Sequence, residues 1–190
     1  MHHEITFTAE EALERLIKGN LEFRNLDHST GDVSLEKRRK TCEEGQIPYA
    51  IIITCSDSRV IPESIFNAGI GDLFVIRLAG NVIDNHQLGS IEYAAEHLGC
   101  QLILVLGHNH CGAVDAAINH DPEGYIKFVT DEIKTAIGDE TDDYKACCLN
   151  VKHSIKTIES SLEIQYDEKE YGLRVMGALY HLEDGEVEFL

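Results

Sequence analysis

Three short apolar runs mark the middle of the chain and predict the strands of a buried sheet. They read YAIIIT at 49–54, DLFVIRL at 72–78 and QLILVLG at 101–107. Runs this short and this uniformly apolar are typical of parallel strands covered on both faces. The segment HQLGSIEYAAEHLG, before the third run, repeats its apolar positions at helical spacing and ends at Gly99. Strand, crossover helix and strand form a βαβ unit, so we predict an α/β fold with a mostly parallel central sheet flanked by helices.

Helical and late strand patterns lie on either side of this centre. Thr8 and Glu11 form a capping box, and the apolar residues that follow predict a helix over about 9–24. Those apolar residues are Leu13, Leu16, Ile17 and Leu21. After the third strand the pattern is mostly helical to about residue 161. The tail has strand signals around an Asp184-Gly185 turn, which predicts a late edge strand or hairpin.

The length and composition are those of a folded domain with its own core. The chain has 190 residues, of which 43% are hydrophobic and 26% are charged, close to globular averages. It contains no repeat, low-complexity tract or linker-like segment that would mark a boundary. We therefore predict a single domain over 1–190, with an N-terminal helical arm at 1–45 and an α/β core at 46–190.

The charge balance argues against two classes of partner. Lysine and arginine number 16 against 34 acidic residues, which gives a net charge of -18. Such a molecule repels phosphate backbones and anionic membranes, so we expect no nucleic acid and no membrane partner. The sequence has no apolar stretch of about 18 residues, and its first residues do not resemble a signal peptide. We predict a cytoplasmic protein whose six cysteines are thiols or ligands.

Two of the predicted strands end in segments rich in metal-binding side chains. CSDSR at 55–59 follows the first strand, and HNHCG at 108–112 follows the third. If these strands are neighbours, with the second strand on the far side of the first, the segments converge at the carboxyl edge of the sheet. Two thiolates and an imidazole are ligands that zinc prefers, and three protein ligands leave one position open, as in catalytic sites. The spacing therefore indicates a zinc site formed by Cys55, His108 and Cys111.

Asp57 and Arg59 admit more than one role beside such a site. Asp57 can bind the metal as a fourth ligand, or it can hydrogen-bond a metal-bound water, depending on where Arg59 holds it. An ordinary surface ion pair, which would contribute little to stability, is the remaining alternative.

The two strand-end segments together resemble the zinc signature of the β-class carbonic anhydrases. That signature is matched by CSDSRV at 55–60 followed by GHNHCGAV at 107–114, and IRLAGN at 76–81 is similar to another family segment. The resemblance implies that Cys55, His108 and Cys111 bind one zinc ion per subunit. It also implies that Asp57 and Arg59 form a catalytic and gating dyad, with Asp57 on the metal only in a closed state.

The same resemblance implies a substrate pocket shared between subunits. Gln46, nine residues before Cys55, together with Phe74 and Gly112, would bind substrate at a dimer interface. The family forms dimers and dimers of dimers in which the N-terminal helix packs on the partner subunit. Packing within one chain explains the apolar stripe of that helix equally well.

The function implied is the reversible hydration of CO2 to bicarbonate and a proton, by attack of zinc-bound hydroxide on CO2. One alternative is a hydrolase of carbonyl sulfide or carbon disulfide on the same fold. Another is a zinc-binding module without catalysis. A redox role for Cys55 or Cys111 has less support, because neither belongs to a Cys-x-x-Cys pair.

Overall fold

A five-stranded sheet forms the centre of the fold in a computed structural model, which describes residues 5–25 and 31–190. The strand order is β2-β1-β3-β4-β5, in which the first four strands are parallel and β5 is antiparallel to β4. The strands are β1 Ala50–Thr54, β2 Leu73–Arg77, β3 Leu102–His108, β4 Arg174–Tyr180 and β5 Val187–Phe189. The predicted mostly parallel sheet with a late edge hairpin is confirmed, and β1 lies between β2 and β3 as expected.

Helices cover both faces of this sheet. Those in the described residues are α1 Ala9–Asn25, α2 Leu35–Glu44, α3 Pro62–Ile65, α4 Asn85–Leu98, α5 Gly112–Asn119, α6 Ile126–Ile137, α7 Asp143–Glu159 and α8 Leu162–Tyr171. A short 3-10 turn, Ala79–Asn81, follows β2. One apolar core lies between α1 and the sheet, and a second lies between the opposite face and helices α4, α7 and α8.

The three predicted strands differ in how far they are buried. Every residue of β1 and β3 is buried, as a central parallel strand requires. Within β2 only Leu73 is buried, and Arg77 is exposed. The prediction of full burial is wrong for β2, because this strand lies at the edge of the sheet and has β1 as its single neighbour in the described chain.

Helix α1 packs on the core of its own chain. The capping box is formed, since the Glu11 amide donates to Thr8 Oγ1 at 3.2 Å and the Thr8 amide donates to the Glu11 carboxylate at 2.9 Å. Leu16 is fully buried, whereas Ile17 and Leu21 of the predicted stripe are exposed. Packing of α1 on a partner subunit stays a prediction. Residues 1–4 and 26–30 of the predicted arm lie outside the described residues.

Helix α8 is an element that the hydrophobic pattern did not predict. Its sequence, LEIQYDEKEY, is mostly polar, and its buried residues are Ile164 and Asp167. The end signals are present, because Ser161 accepts a hydrogen bond from the Ile164 amide and Gly172 ends the helix in the left-handed conformation. Capping residues, rather than periodicity, were the usable signal here.

The register of β1 and β3 brings the two strand-end segments side by side. Thr54 pairs with Leu106, and its hydroxyl donates to the Leu106 carbonyl at 2.7 Å. Cys55 follows at the end of β1, and His108 is the last residue of β3. The carboxyl edge of the sheet thus fixes both residues on rigid neighbouring strands.

Candidate metal centre

Cys55, His108 and Cys111 form a buried cluster at the carboxyl edge of the sheet. Their ligand atoms lie within 4.8 Å of one another, and the two sulfurs are 4.0 Å apart. Two thiolates at zinc distances of about 2.3 Å in a tetrahedral site would lie about 3.8 Å apart. Val82, Val114 and Leu179 belong to the apolar cluster that surrounds the two cysteines. The donor set and its spacing fit a zinc ion.

The imidazole of His108 is oriented for binding through Nε2. Its Nδ1 lies 2.8 Å from the Asn109 carbonyl, which fixes Nδ1 as the protonated nitrogen. Among the described residues, Nε2 is one of the buried side-chain atoms without a hydrogen-bond partner. A buried nitrogen left in this way is costly unless a ligand binds it. This arrangement is the one that a metal-binding histidine requires.

The thiols of Cys55 and Cys111 differ in pKa. The contact between the two sulfurs lowers the pKa of Cys55 and raises the pKa of Cys111. The Gly80 amide also donates to Cys55 Sγ, at 3.3 Å. Burial opposes a charge on His108, but the Cys55 sulfur and the Asn109 carbonyl raise its pKa overall. A divalent cation would replace the proton that the two sulfurs share.

Asp57 is held by Arg59 beside the cluster. The guanidinium donates from Nε to Oδ1 at 2.9 Å and from Nη2 to Oδ2 at 2.7 Å, and the Arg59 amide donates to Oδ1 as well. These bonds to Arg59 lower the pKa of Asp57 well below its usual range, so the carboxyl is ionised. Asp57 Oδ2 lies 3.9 Å from His108 Nε2. The carboxylate therefore faces the cluster while both of its oxygens are bonded to arginine.

The other predicted site residues are distributed between two places. Gly112 is the exposed first residue of α5, directly after Cys111. Gln46 is exposed beyond the amino end of β1, in a surface groove that Tyr93 and His97 also line. Phe74, near the start of β2, is partly buried, and its ring lies 6.3 Å from that of Tyr93. Within one chain, Gln46 and Phe74 are therefore at the opposite end of the sheet from the cluster.

Comparison with known proteins places this site in a family. The family model described as "Carbonic anhydrase" matches residues 50–187, which include every residue of the cluster. The chain belongs to the β-class carbonic anhydrase family. A carbonic anhydrase of Mycolicibacterium smegmatis is 37% identical over 164 residues, which are 80% of this chain and 79% of that protein.

Solved β-carbonic anhydrase structures have the same fold. A tetrameric enzyme of Sordaria macrospora superposes with a TM-score of 0.74 at 27% identity, over 82% of this chain and 88% of that one. The Coccomyxa enzyme, solved with acetazolamide, superposes with a TM-score of 0.70 at 28% identity, over 85% of this chain and 87% of that one. None of the helices in residues 5–25 and 31–190 has the length and apolar character needed to span a bilayer.

Two further side chains hold the backbone around this β-carbonic anhydrase site. Arg77 donates to the carbonyls of Cys55 and Asp57, at 3.1 and 2.7 Å. Asp143, in the first turn of α7, accepts from the His110 amide at 2.9 Å, and the His110 carbonyl accepts from Arg59 at 3.2 Å. Sequence reasoning included Arg77 only as part of the IRLAGN segment and gave it no contact at the site. It missed Asp143, because nothing in the spacing of Asp143 shows that α7 begins beside the metal-binding loop.

Proposed function

We propose that this protein catalyses the reversible hydration of CO2 to bicarbonate and a proton, at one zinc ion per subunit held by Cys55, His108 and Cys111. The observation that carries the proposal is the convergence of these three ligand atoms at the ends of β1 and β3. Membership of the carbonic anhydrase family supports the reaction.

Three protein ligands would leave a bound metal accessible to water or substrate. When bound, zinc would lower the pKa of water and so supply a nucleophile, although less strongly than at three neutral histidines, because two thiolates offset the charge of the metal. The apolar side chains around the cysteines, among them Val82 and Leu179, exclude bulk water and suit a small apolar substrate such as CO2.

Asp57 and Arg59 orient the reacting water in this proposal. The Asp57 carboxylate stays ionised and faces the cluster, so Oδ2 can accept a hydrogen bond from the water and direct its oxygen towards CO2. Arg59 occupies both carboxylate oxygens, which keeps Asp57 from acting as a fourth ligand. The Asp57–Arg59 pair supports an open arrangement, and a closed one would require Asp57 to leave Arg59.

The substrate pocket is completed by a second subunit in this proposal. Gln46 and Phe74 lie towards the amino ends of β1 and β2, so we infer that they contribute to the cluster of another copy. Gly112, at the start of α5, offers a backbone amide beside the site of its own chain. We propose a homodimer or dimer of dimers, and a cytoplasmic location, where six free thiols would persist.

The test is stopped-flow CO2 hydration by protein of measured zinc content, at about pH 7 and about pH 9. Zinc-loaded protein should hydrate CO2, and chelation followed by zinc return should abolish and restore the rate. Zinc-replete protein that is inactive at both pH values would contradict the proposal and favour a binding module. Turnover of carbonyl sulfide in preference to CO2 would favour the related hydrolase.

A further inference from the structure

Helix α7 has buried polar side chains on the face that it turns towards the 3-10 turn Ala79–Asn81. Asn150 is 1% exposed and Ser154 is 2% exposed, although both have polar side chains. They lie four residues apart, so they occupy neighbouring turns of one helix face. Buried carboxamides and hydroxyls are costly unless they are hydrogen-bonded, and what these two bind identifies their role.

Both side chains bind the backbone of the 3-10 turn. Asn150 Nδ2 donates to the Gly80 carbonyl at 2.7 Å. Ser154 Oγ lies 3.0 Å from the Asn81 carbonyl and 3.1 Å from the Asn150 carbonyl of its own helix, and Asn81 Nδ2 donates to Ser154 Oγ at 3.4 Å. Two successive carbonyls of the turn are therefore held by one helix that begins 62 residues further along the chain.

The turn needs such support because its backbone is unusual. Gly80 has φ 64° and ψ 20°, and Asn81 has φ 45°, so two successive residues are left-handed. Glycine adopts this conformation freely but also leaves it freely, and an asparagine there is uncommon. A residue with a side chain at position 80 would not stabilise this conformation, because its Cβ would lie 2.6 Å from Ile133 Cδ1. Contacts from outside the turn must therefore fix the Gly80 peptide groups.

The Gly80 amide connects the conformation of this turn to the metal site. It donates to Cys55 Sγ at 3.3 Å, and Cys55 is one of the two sulfur ligands. A hydrogen bond to a thiolate withdraws charge from the sulfur and fixes its direction, which changes how it binds a metal. Rotation about Gly80 would move this donor away from the sulfur.

We propose that Asn150 is a positioning residue of the metal site, which holds the Gly80 turn so that the Gly80 amide donates to the Cys55 thiolate. Asn150 does not contact the metal or the substrate. It acts through two peptide groups, and Ser154 supports the next carbonyl in the same way. The inference rests on the proposed metal site, but it does not depend on which substrate is turned over.

The experiment compares Co2+-substituted wild-type protein with Asn150→Ala. Without the asparagine, the sulfur-to-cobalt absorption band should move to longer wavelength, because a thiolate that loses a hydrogen bond gives up its electrons more easily. Transfer of Co2+ to a chelator should become about 10-fold to 100-fold easier, the usual effect of removing a residue that supports a metal ligand.

The matched control is Asn20→Ala. Asn20 is also a buried asparagine that binds backbone groups, the carbonyls of Ile65 and Gly185 and the amide of Val187, but none of these belongs to the cluster or to the 3-10 turn. This variant should lose stability while its cobalt spectrum and chelator transfer stay as in wild type. If Asn150→Ala behaves in the same way as Asn20→Ala, Asn150 is structural only and the inference is overturned.

A second measurement begins with the wild-type protein and does not depend on Asn150→Ala. In wild-type protein loaded with NMR-active cadmium, a hydrogen bond to a metal-bound sulfur transmits a scalar coupling from the metal to the amide proton. The Gly80 amide should show this coupling, and Ser154→Ala, the milder change, should weaken it. A wild-type Gly80 amide without coupling overturns the inference even if Asn150→Ala does not fold. A protein that shows the coupling but does not hydrate CO2 would contradict the proposed function alone.

Discussion

The two ends of strand β1 differ in how completely one chain builds them. At the carboxyl end, Cys55 lies within 4.8 Å of its two companion ligands, and Asp57 is paired with Arg59 beside them. At the amino end, Gln46 lies exposed in a surface groove. A strand of five residues at about 3.3 Å each separates these ends by about 16 Å or more. One chain alone builds the cluster at the first end, whereas the second end is an exposed surface.

This difference follows from the neighbours that each end has. Strands β1 and β3 each have a paired strand on both sides, and α7 packs on β3, so the side chains at their carboxyl ends are buried and fixed. The groove that contains Gln46 lies against α4 and near β2, the partly exposed edge strand. A metal needs the rigid end, whereas a contact between subunits needs the open one.

Removing a ligand of the cluster should have the largest effect. His108→Ala deletes the buried nitrogen that faces the two sulfurs, and we expect loss of bound zinc and of CO2 hydration to background. Zinc content by metal analysis and stopped-flow rates measure the two effects. His86→Ala is the control, because its side chain is 96% exposed and is not one of the cluster residues. Full zinc content and activity in His108→Ala would refute the ligand assignment.

Breaking the Asp57–Arg59 pair should reduce CO2 hydration without loss of zinc binding. In Arg59→Ala the carboxylate of Asp57 loses both side-chain bonds and can turn to the metal, so zinc should be retained while hydration falls by about 100-fold or more. Adding Asp57→Ala to this variant removes the group that would block the metal. The double variant should therefore regain access to small anions, measured by binding to its Co2+ form. An Arg59→Ala enzyme with wild-type rates would remove the gating role.

The same contrast explains what the sequence could predict. Cys55 and His108 directly follow apolar runs, so local pattern and the rule for strand ends were enough to place them together. Asn150 and Asp143 are part of an ordinary amphipathic helix in the sequence. Their importance depends on contacts with backbone groups 33 to 70 residues away, which no local pattern encodes.

The exposure of β2 and of Ile17 has a related cause. Hydrophobic patterns show that a residue avoids water, but they do not show which surface covers it. Within one chain β2 has a single neighbouring strand, and Ile17 is 41% exposed, so both depart from the burial that their sequences predict. An interface between subunits is one arrangement in which such residues become buried.

The smallest expected effect tests the open end and decides whether the site is shared. Gln46→Ala removes one hydrogen bond to substrate, so kcat/KM should fall by about 10-fold with zinc content unchanged. Heterodimers then separate the two possibilities. A Cys55→Ala subunit paired with a Gln46→Ala subunit has one intact site if Gln46 acts across the interface, because each subunit supplies what the other lacks. Placing both substitutions in one subunit, opposite a wild-type partner, leaves no intact site in that case. If Gln46 served its own chain, the second heterodimer would be the more active, so the order of the two rates decides between them.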